Sequence, residues 1–385
     1  IVKSVRLFPV PHSCAPQLRK HSATSSQQHN NKTCVPKMDI MFLKTHKTGS
    51  STFLNILFRF AEQHKLKFAF PNNQNDFYYP SSFQRTYVHS YRSGKCFNVI
   101  CNHMRFNSAE VAKVLPRDTF YVTILRDPAE LFESSFHYFS SITPLTWRIP
   151  GEDKMAEFLR NPNLYFSPDK INSFYLKNLI FFDLGGDNTL HPDDPRVEES
   201  IRLISGNFHL VMLMEHFEES LILFKDIFCW EMDDILFFKL NSRNKSAVSK
   251  LSLELRAKAL QWNSVDWKLY KHFNRSFWEK VEAYGRERME RDVAELRRRN
   301  AEMAKICIDG PQSVAAGSIQ DNAMQPWQPF GEKFIVGYNL NKNIDEANQK
   351  LCRKMLTQEI QYLKDLGANV WFINILRQVR YIINW

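Results

Sequence analysis

Short unbroken apolar runs alternate with longer stretches in which apolar residues recur every three or four positions. The runs are Ile40 to Leu43, Phe97 to Cys101, Phe120 to Leu125 and Phe208 to Met214. Runs of this length fit strands buried on both faces, which is the signature of a parallel sheet rather than a half-exposed antiparallel one. After the first run comes a polar stretch, Lys44 to Thr52, and then Phe53, Leu54, Ile56, Leu57 and Phe60 at helical spacing. The reading is strand, loop, helix. A second helix is predicted after Arg126-Asp127-Pro128, with Pro in its first turn. The chain is therefore expected to fold as an α/β protein, a parallel sheet with helices on both faces. The charge-dense stretch Phe277 to Lys305 is expected to be one long surface helix, and 309 to 332, rich in Pro, Gly and Gln, a loop.

The ends differ from the middle. Residues 1–37 are polar and aperiodic and read as a flexible stem or tail, leaving a domain over 38–367. Over 368–385, Trp371, Phe372, Ile375, Leu376, Val379 and Ile382 make one apolar stripe. That stripe suits an amphipathic helix in a membrane interface, or equally one docked on the core. No apolar run reaches the roughly 18 residues of a spanning helix.

Composition narrows the class. The chain has 385 residues, a formal charge of +10, 44% hydrophobic residues, 31 Phe and only 12 Gly, which excludes disordered and collagen-like chains. Seven cysteines contain no C-x-x-C pair, so no zinc ribbon or redox dithiol is encoded, and the odd count predicts a thiol free or paired between chains. Together with sequons at Asn31, Asn244 and Asn274, the cysteines lean towards the secretory pathway. The run Arg297-Arg298-Arg299 reads as a solvated helix face, and no nucleic-acid partner is expected. Asp183, Asp187, Asp193 and Asp194 surround Gly185-Gly186 without calcium-loop spacing and read as a turn-rich loop; no metal is expected.

The chemistry concentrates in two places. Lys44 to Thr52 offers two lysines, four hydroxyls after Lys47 (Thr48, Ser50, Ser51, Thr52) and Gly49 at a predicted helix N-terminus, which makes an anion site with phosphate as its natural ligand. The spacing is not that of a nucleotide-hydrolase loop, because Lys47 precedes the only Gly, and an ATPase is disfavoured. Arg126 at a strand end and Ser134 on the next helix can converge on a second phosphate.

These two motifs, in this order, resemble sulfotransferases that use 3′-phosphoadenosine 5′-phosphosulfate. The segments Phe42 to Thr48, Ile100 to Phe106, Leu131 to Tyr138, Pro326 to Pro329 and Gly337 to Leu340 are similar to those of galactose 3-O-sulfotransferases, particularly members acting on the glycolipid galactosylceramide. The stretch before Asp39 shows no such likeness. The resemblance implies a P-loop-like, nucleotide-kinase-like sulfotransferase fold, and transfer of a sulfuryl group to the 3-hydroxyl of galactose. Carried over by position, Lys47, Thr48, Gly49, Ser50, Ser51 and Thr52 would hold the 5′-phosphosulfate, and Arg126 and Ser134 the 3′-phosphate. Lys47 would stabilise the leaving oxygen without a metal. His103 is favoured as the base over its rival His46, and Lys44 would be a further sulfate or substrate contact. The family implies a homodimer in the Golgi lumen at the membrane surface, with an N-terminal anchor expected outside this chain. The alternatives are a glycoprotein or free-glycan acceptor and, in another class, a non-catalytic nucleotide-binding protein.

Overall fold

The computed structural model describes residues 34–92, 96–244, 250–310, 312–328 and 335–371. Most of the expected stem and C-terminal helix, 1–33 and 372–385, lies outside the described residues.

Four strands form one parallel sheet: β1 (Ile40–Leu43), β2 (Val99–Ile100), β3 (Phe120–Leu125) and β4 (Leu210–Leu213), in the order β2-β1-β3-β4. Every residue of β1 and β4 is buried, as their unbroken apolar runs require. Helices flank the sheet. Helix α1 (Ser50–Gln63) follows β1 and buries Phe53, Leu54, Ile56, Leu57 and Phe60. The helix Pro128–Phe139 follows β3, its N-terminus capped by Asp127, whose carboxylate accepts from the backbone N–H groups of Ala129 and Glu130. The sheet order reverses direction between β1 and β3, so the crevice at their C-terminal ends is the switch point where open α/β sheets bind ligands. Both motifs singled out above leave the sheet at that crevice.

Three expectations need correction. The stretch Phe277–Lys305 is not one helix. Ser264–Tyr284 and Arg286–Cys307 are separate helices, divided by Gly285 at φ +96°, a conformation only glycine adopts without strain. The region 309–332 is not only loop, because Val314–Ala315 (β6) joins Ser242–Arg243 (β5) and Ile335–Gly337 (β7) in a small antiparallel sheet ordered β5-β7-β6. Strands of two or three residues are too short to leave an alternating pattern. The turn region around Gly185 supplies more than turns, since Asp183 ends a short helix, Leu179–Asp183, with its carboxylate buried.

Arg297, Arg298 and Arg299 pair with Glu218, Glu295, Glu302 and Asp233, so the run is an ion-paired helix face. Disulfides join Cys34 to Cys229 and Cys307 to Cys352, and Cys96 is disulfide-bonded as well. Among the described residues the free thiol is Cys101, which is buried. Such bridges belong to an oxidising compartment. Among the described residues no helix is long and apolar enough to cross a membrane.

Candidate active site

The loop from β1 to α1 is shaped by its own hydroxyls. Thr45 donates to the Ile124 carbonyl of β3, while Thr48 and Ser50 both donate to the Thr45 carbonyl. Lys47 at φ +57° and Gly49 at φ +72° turn the backbone through left-handed conformations. Backbone turned this way forms an anion-binding concavity. Helix α1 starts with no side-chain cap and no acidic residue in its first turn, so its N-terminal dipole is left for a ligand. Around the loop lies a cavity of about 360 Å³ lined by Lys44, His46, Lys47, Thr48, Gly49, Ser50 and Ser51. Asn75, Asp76, His103, Tyr138, Phe139, Tyr175, Trp327 and Glu359 complete most of its wall.

Lys47 Nζ sits 3.4 Å from the centre of the Tyr138 ring. Burial, and then the neighbouring charges of Arg243, Arg126 and Lys44, bring its pKa down to about 7, with Glu133 only partly opposing them. Positive charge gathered here without enough compensation is the electrostatic condition of an anion site. Arg126 braces the loop by donating to the Lys47 carbonyl at 3.1 Å. Its neighbour Asp127 pairs instead with Arg256. Arg243, on β5, holds Glu133 by donating from its two terminal guanidinium nitrogens.

Two imidazoles of the cavity lining pack face to face. The His46 and His103 rings stack, with centroids 4.0 Å apart and planes 9° from parallel. His103 Nδ1 lies 2.9 Å from the Lys44 carbonyl oxygen, an acceptor only, so the proton is on Nδ1 and Nε2 keeps its lone pair. Burial, then His46 and Lys44, holds the His103 pKa well below its usual value, so this ring is neutral at pH 7. His46 is anchored differently. Its backbone N–H and Nδ1 both donate to the Asp183 carboxylate, at 2.8 and 3.0 Å, and Tyr79 adds a hydroxyl donor to the same group at 2.7 Å.

The other expected residues fall in several places. Lys44 is buried and paired with Glu359, whose second oxygen accepts from Ser51 at 2.8 Å. Thr52 is not among the cavity residues; it donates to the Leu240 carbonyl and accepts from the Leu240 N–H. Arg126 and Ser134 are likewise not among the cavity residues, Ser134 being buried on the helix after β3. Glu215 accepts from the Asp127 N–H and the Tyr270 hydroxyl and so supports that helix start. Sequence reasoning missed Asp183, Glu359 and Arg243. Glu359 is 315 residues from the lysine it meets, and no local pattern joins them. No group of three His, Cys, Asp or Glu side chains among the described residues is arranged to hold a metal.

Comparison with known proteins agrees with this geometry. A sequence profile described as "Galactose-3-O-sulfotransferase" matches residues 7–370, thus including most of the stretch before Asp39 that had shown no likeness. The chain is 55% identical to galactosylceramide sulfotransferase of Bos taurus over 372 residues, covering 97% of this chain and 88% of that protein. With the Homo sapiens protein of the same name it shares 54% over 373 residues, at the same coverage of both chains. Galactose-3-O-sulfotransferase 2 of Homo sapiens is 40% identical over 337 residues, 86% of this chain and 84% of that one.

Proposed function

This chain belongs to the galactose-3-O-sulfotransferase family, and from that premise we propose that it transfers a sulfuryl group from 3′-phosphoadenosine 5′-phosphosulfate to the 3-hydroxyl of galactose in galactosylceramide, giving sulfatide. The Golgi lumen is the proposed compartment, in keeping with the disulfides. The observation that carries the reading is the loop at the β1–β3 crevice. It presents an uncapped helix N-terminus and Lys47 within a cluster of positive charge, which fits a phosphosulfate.

The placement of the loop and of the two histidines supports the following roles. The 5′-phosphosulfate lies against the backbone of Lys47 to Ser51, with Thr48, Ser50 and Ser51 hydroxyls beside it. Arg126, which touches the loop through the Lys47 carbonyl, and Ser134 serve the 3′-phosphate end. The acceptor oxygen attacks sulfur as the bond from sulfur to the phosphate oxygen breaks, and the bisphosphate departs carrying the bonding pair. Lys47 balances the charge that grows on that oxygen. The acceptor hydroxyl loses its proton to His103 Nε2, whose lone pair the Lys44 carbonyl fixes in place. A second reading makes His46 the base, favoured by one observation: the Asp183 carboxylate on its Nδ1 would stabilise an imidazolium.

The test uses the Lys47 pKa. A bound anion raises that pKa, so the donor site takes up a proton as it fills. At pH 8 the ligand's phosphates are already ionised, their second pKa being about 6, and Lys47 is mostly neutral. Binding of 3′-phosphoadenosine 5′-phosphate should then absorb about one proton, and affinity should fall as pH rises above 7. Titration calorimetry in two buffers of different ionisation enthalpy reads the uptake, which Lys47→Ala should abolish. Binding at pH 8 with no proton uptake would contradict the assignment.

A further inference from the structure

Ten large hydrophobic side chains stand exposed among the described residues, and four of them belong to chain segments that also supply, or lie within a few residues of, the cavity wall. These are Tyr78 (43% exposed), Ile142 (37%), Trp147 (59%) and Ile171 (73%). Hydrogen bonds hold Trp147 against the chain that leaves the wall, and the segment of Ile171 against Ile142. The Trp147 indole N–H donates to the Ser140 carbonyl at 2.8 Å, and Ser140 directly follows the wall residues Tyr138 and Phe139. Asn172 Nδ2 donates to the Ile142 carbonyl at 2.6 Å, which brings Ile171 beside Ile142. Ile171 precedes the wall residue Tyr175 by four positions, a reach of about 14 Å at most. Phe139 and Tyr175 in turn stack face to face, with centroids 3.7 Å apart. Tyr78 lies between the wall residue Asp76 and Tyr79, whose ring packs against Tyr175.

This rim is also electrically neutral. Between Ile142 and Ile171 the chain carries four Lys or Arg and four Asp or Glu, although the whole chain is +10. Exposed apolar side chains gathered at one place mark an interaction surface. Trp with flanking aliphatic side chains suits the boundary between a bilayer's headgroups and its hydrocarbon. A neutral rim does not select anionic lipid.

We propose that the rim formed by Tyr78, Ile142, Trp147 and Ile171 docks on the lipid bilayer that presents the acceptor, so that the sugar enters the cavity while its hydrocarbon chains stay in the membrane. The inference rests on the glycolipid reading above and adds to it the surface that meets the lipid. It is separate from the C-terminal stripe, because all four residues lie within the α/β domain.

The experiment compares the full chain with Ile142→Ser/Trp147→Ser/Ile171→Ser. Both are assayed on galactosylceramide in phosphatidylcholine vesicles and on lactose in solution, and both are sedimented with plain phosphatidylcholine vesicles. The triple variant should lose about tenfold or more in kcat/KM on the vesicle-borne acceptor, the scale set by losing one to two buried apolar side chains. Its kcat/KM on lactose should stay within about twofold, since none of the three lines the cavity, and vesicle binding should fall. Unchanged vesicle binding and unchanged lipid turnover would overturn the proposal, as would a parallel loss on both acceptors. Failure of the glycolipid reading looks different, because the unaltered chain would then leave galactosylceramide unlabelled. Sedimentation requires no turnover and still reads the surface in that case.

Discussion

Lys47→Ala is expected to lower turnover about a thousandfold, the upper range for deleting one group aimed at developing charge. The reason is placement. Lys47 is the cavity cation set into the loop that wraps the helix N-terminus, and Arg126 and Arg243 hold its surroundings positive rather than substituting for it. The same neighbours that depress its pKa make it sensitive to an anion, so its charge is drawn out when the donor is present. Donor binding should weaken as well, since the protonated amine is drawn to the anion, but by less than turnover, because the backbone N–H groups of the loop remain. Single-turnover rates with saturating donor, alongside direct binding of 3′-phosphoadenosine 5′-phosphate, separate the two effects. A loss confined to binding would mean that Lys47 acts on the ground state only.

His103→Ala is expected to cost between about a hundredfold and ten thousandfold in turnover, the usual range for a general base, with donor binding kept. In the unaltered chain, a base held well below the usual histidine pKa stays neutral throughout the physiological range. The acid limb of kcat/KM should therefore fall below pH 6.5, and a decline above 7 should follow deprotonation of Lys47 in the free enzyme. Asp183→Asn distinguishes the two imidazoles. It removes the carboxylate from His46 but leaves the His103 bond to the Lys44 carbonyl untouched. With His103 as base, Asp183→Asn lowers the rate modestly and leaves the acid limb where it was. If the acid limb moves, and His46→Ala loses more than His103→Ala, the base is His46.

The parts of the fold legible in the sequence were those in which one element carries its own signal. β1 and β3 have the bounds their apolar runs predicted and the Pro128 helix begins where Asp127-Pro128 indicated, whereas α1 starts at Ser50, within the polar stretch read as loop and ahead of its first apolar residue Phe53. Gly285 was equally visible, yet the loose apolar spacing on either side concealed that it divides two helices. Around the cavity, the loop from β1 to α1 and both histidines were legible because each lies in a local motif. Their partners were not. Asp183 looked like one of several turn carboxylates until the fold laid it under His46. Glu359 and Arg243 come from the C-terminal segment and the small sheet, and they meet Lys44 and Glu133 only through tertiary packing.

The central claim is the transfer of sulfate to a glycolipid galactose. It is tested most directly by incubating the purified chain with radiolabelled phosphosulfate donor and three acceptors in parallel: galactosylceramide, lactosylceramide and soluble N-acetyllactosamine. The account predicts label on galactosylceramide, removable only by a sulfatase or by acid. Label on the soluble glycan alone, with galactosylceramide unlabelled, would contradict it.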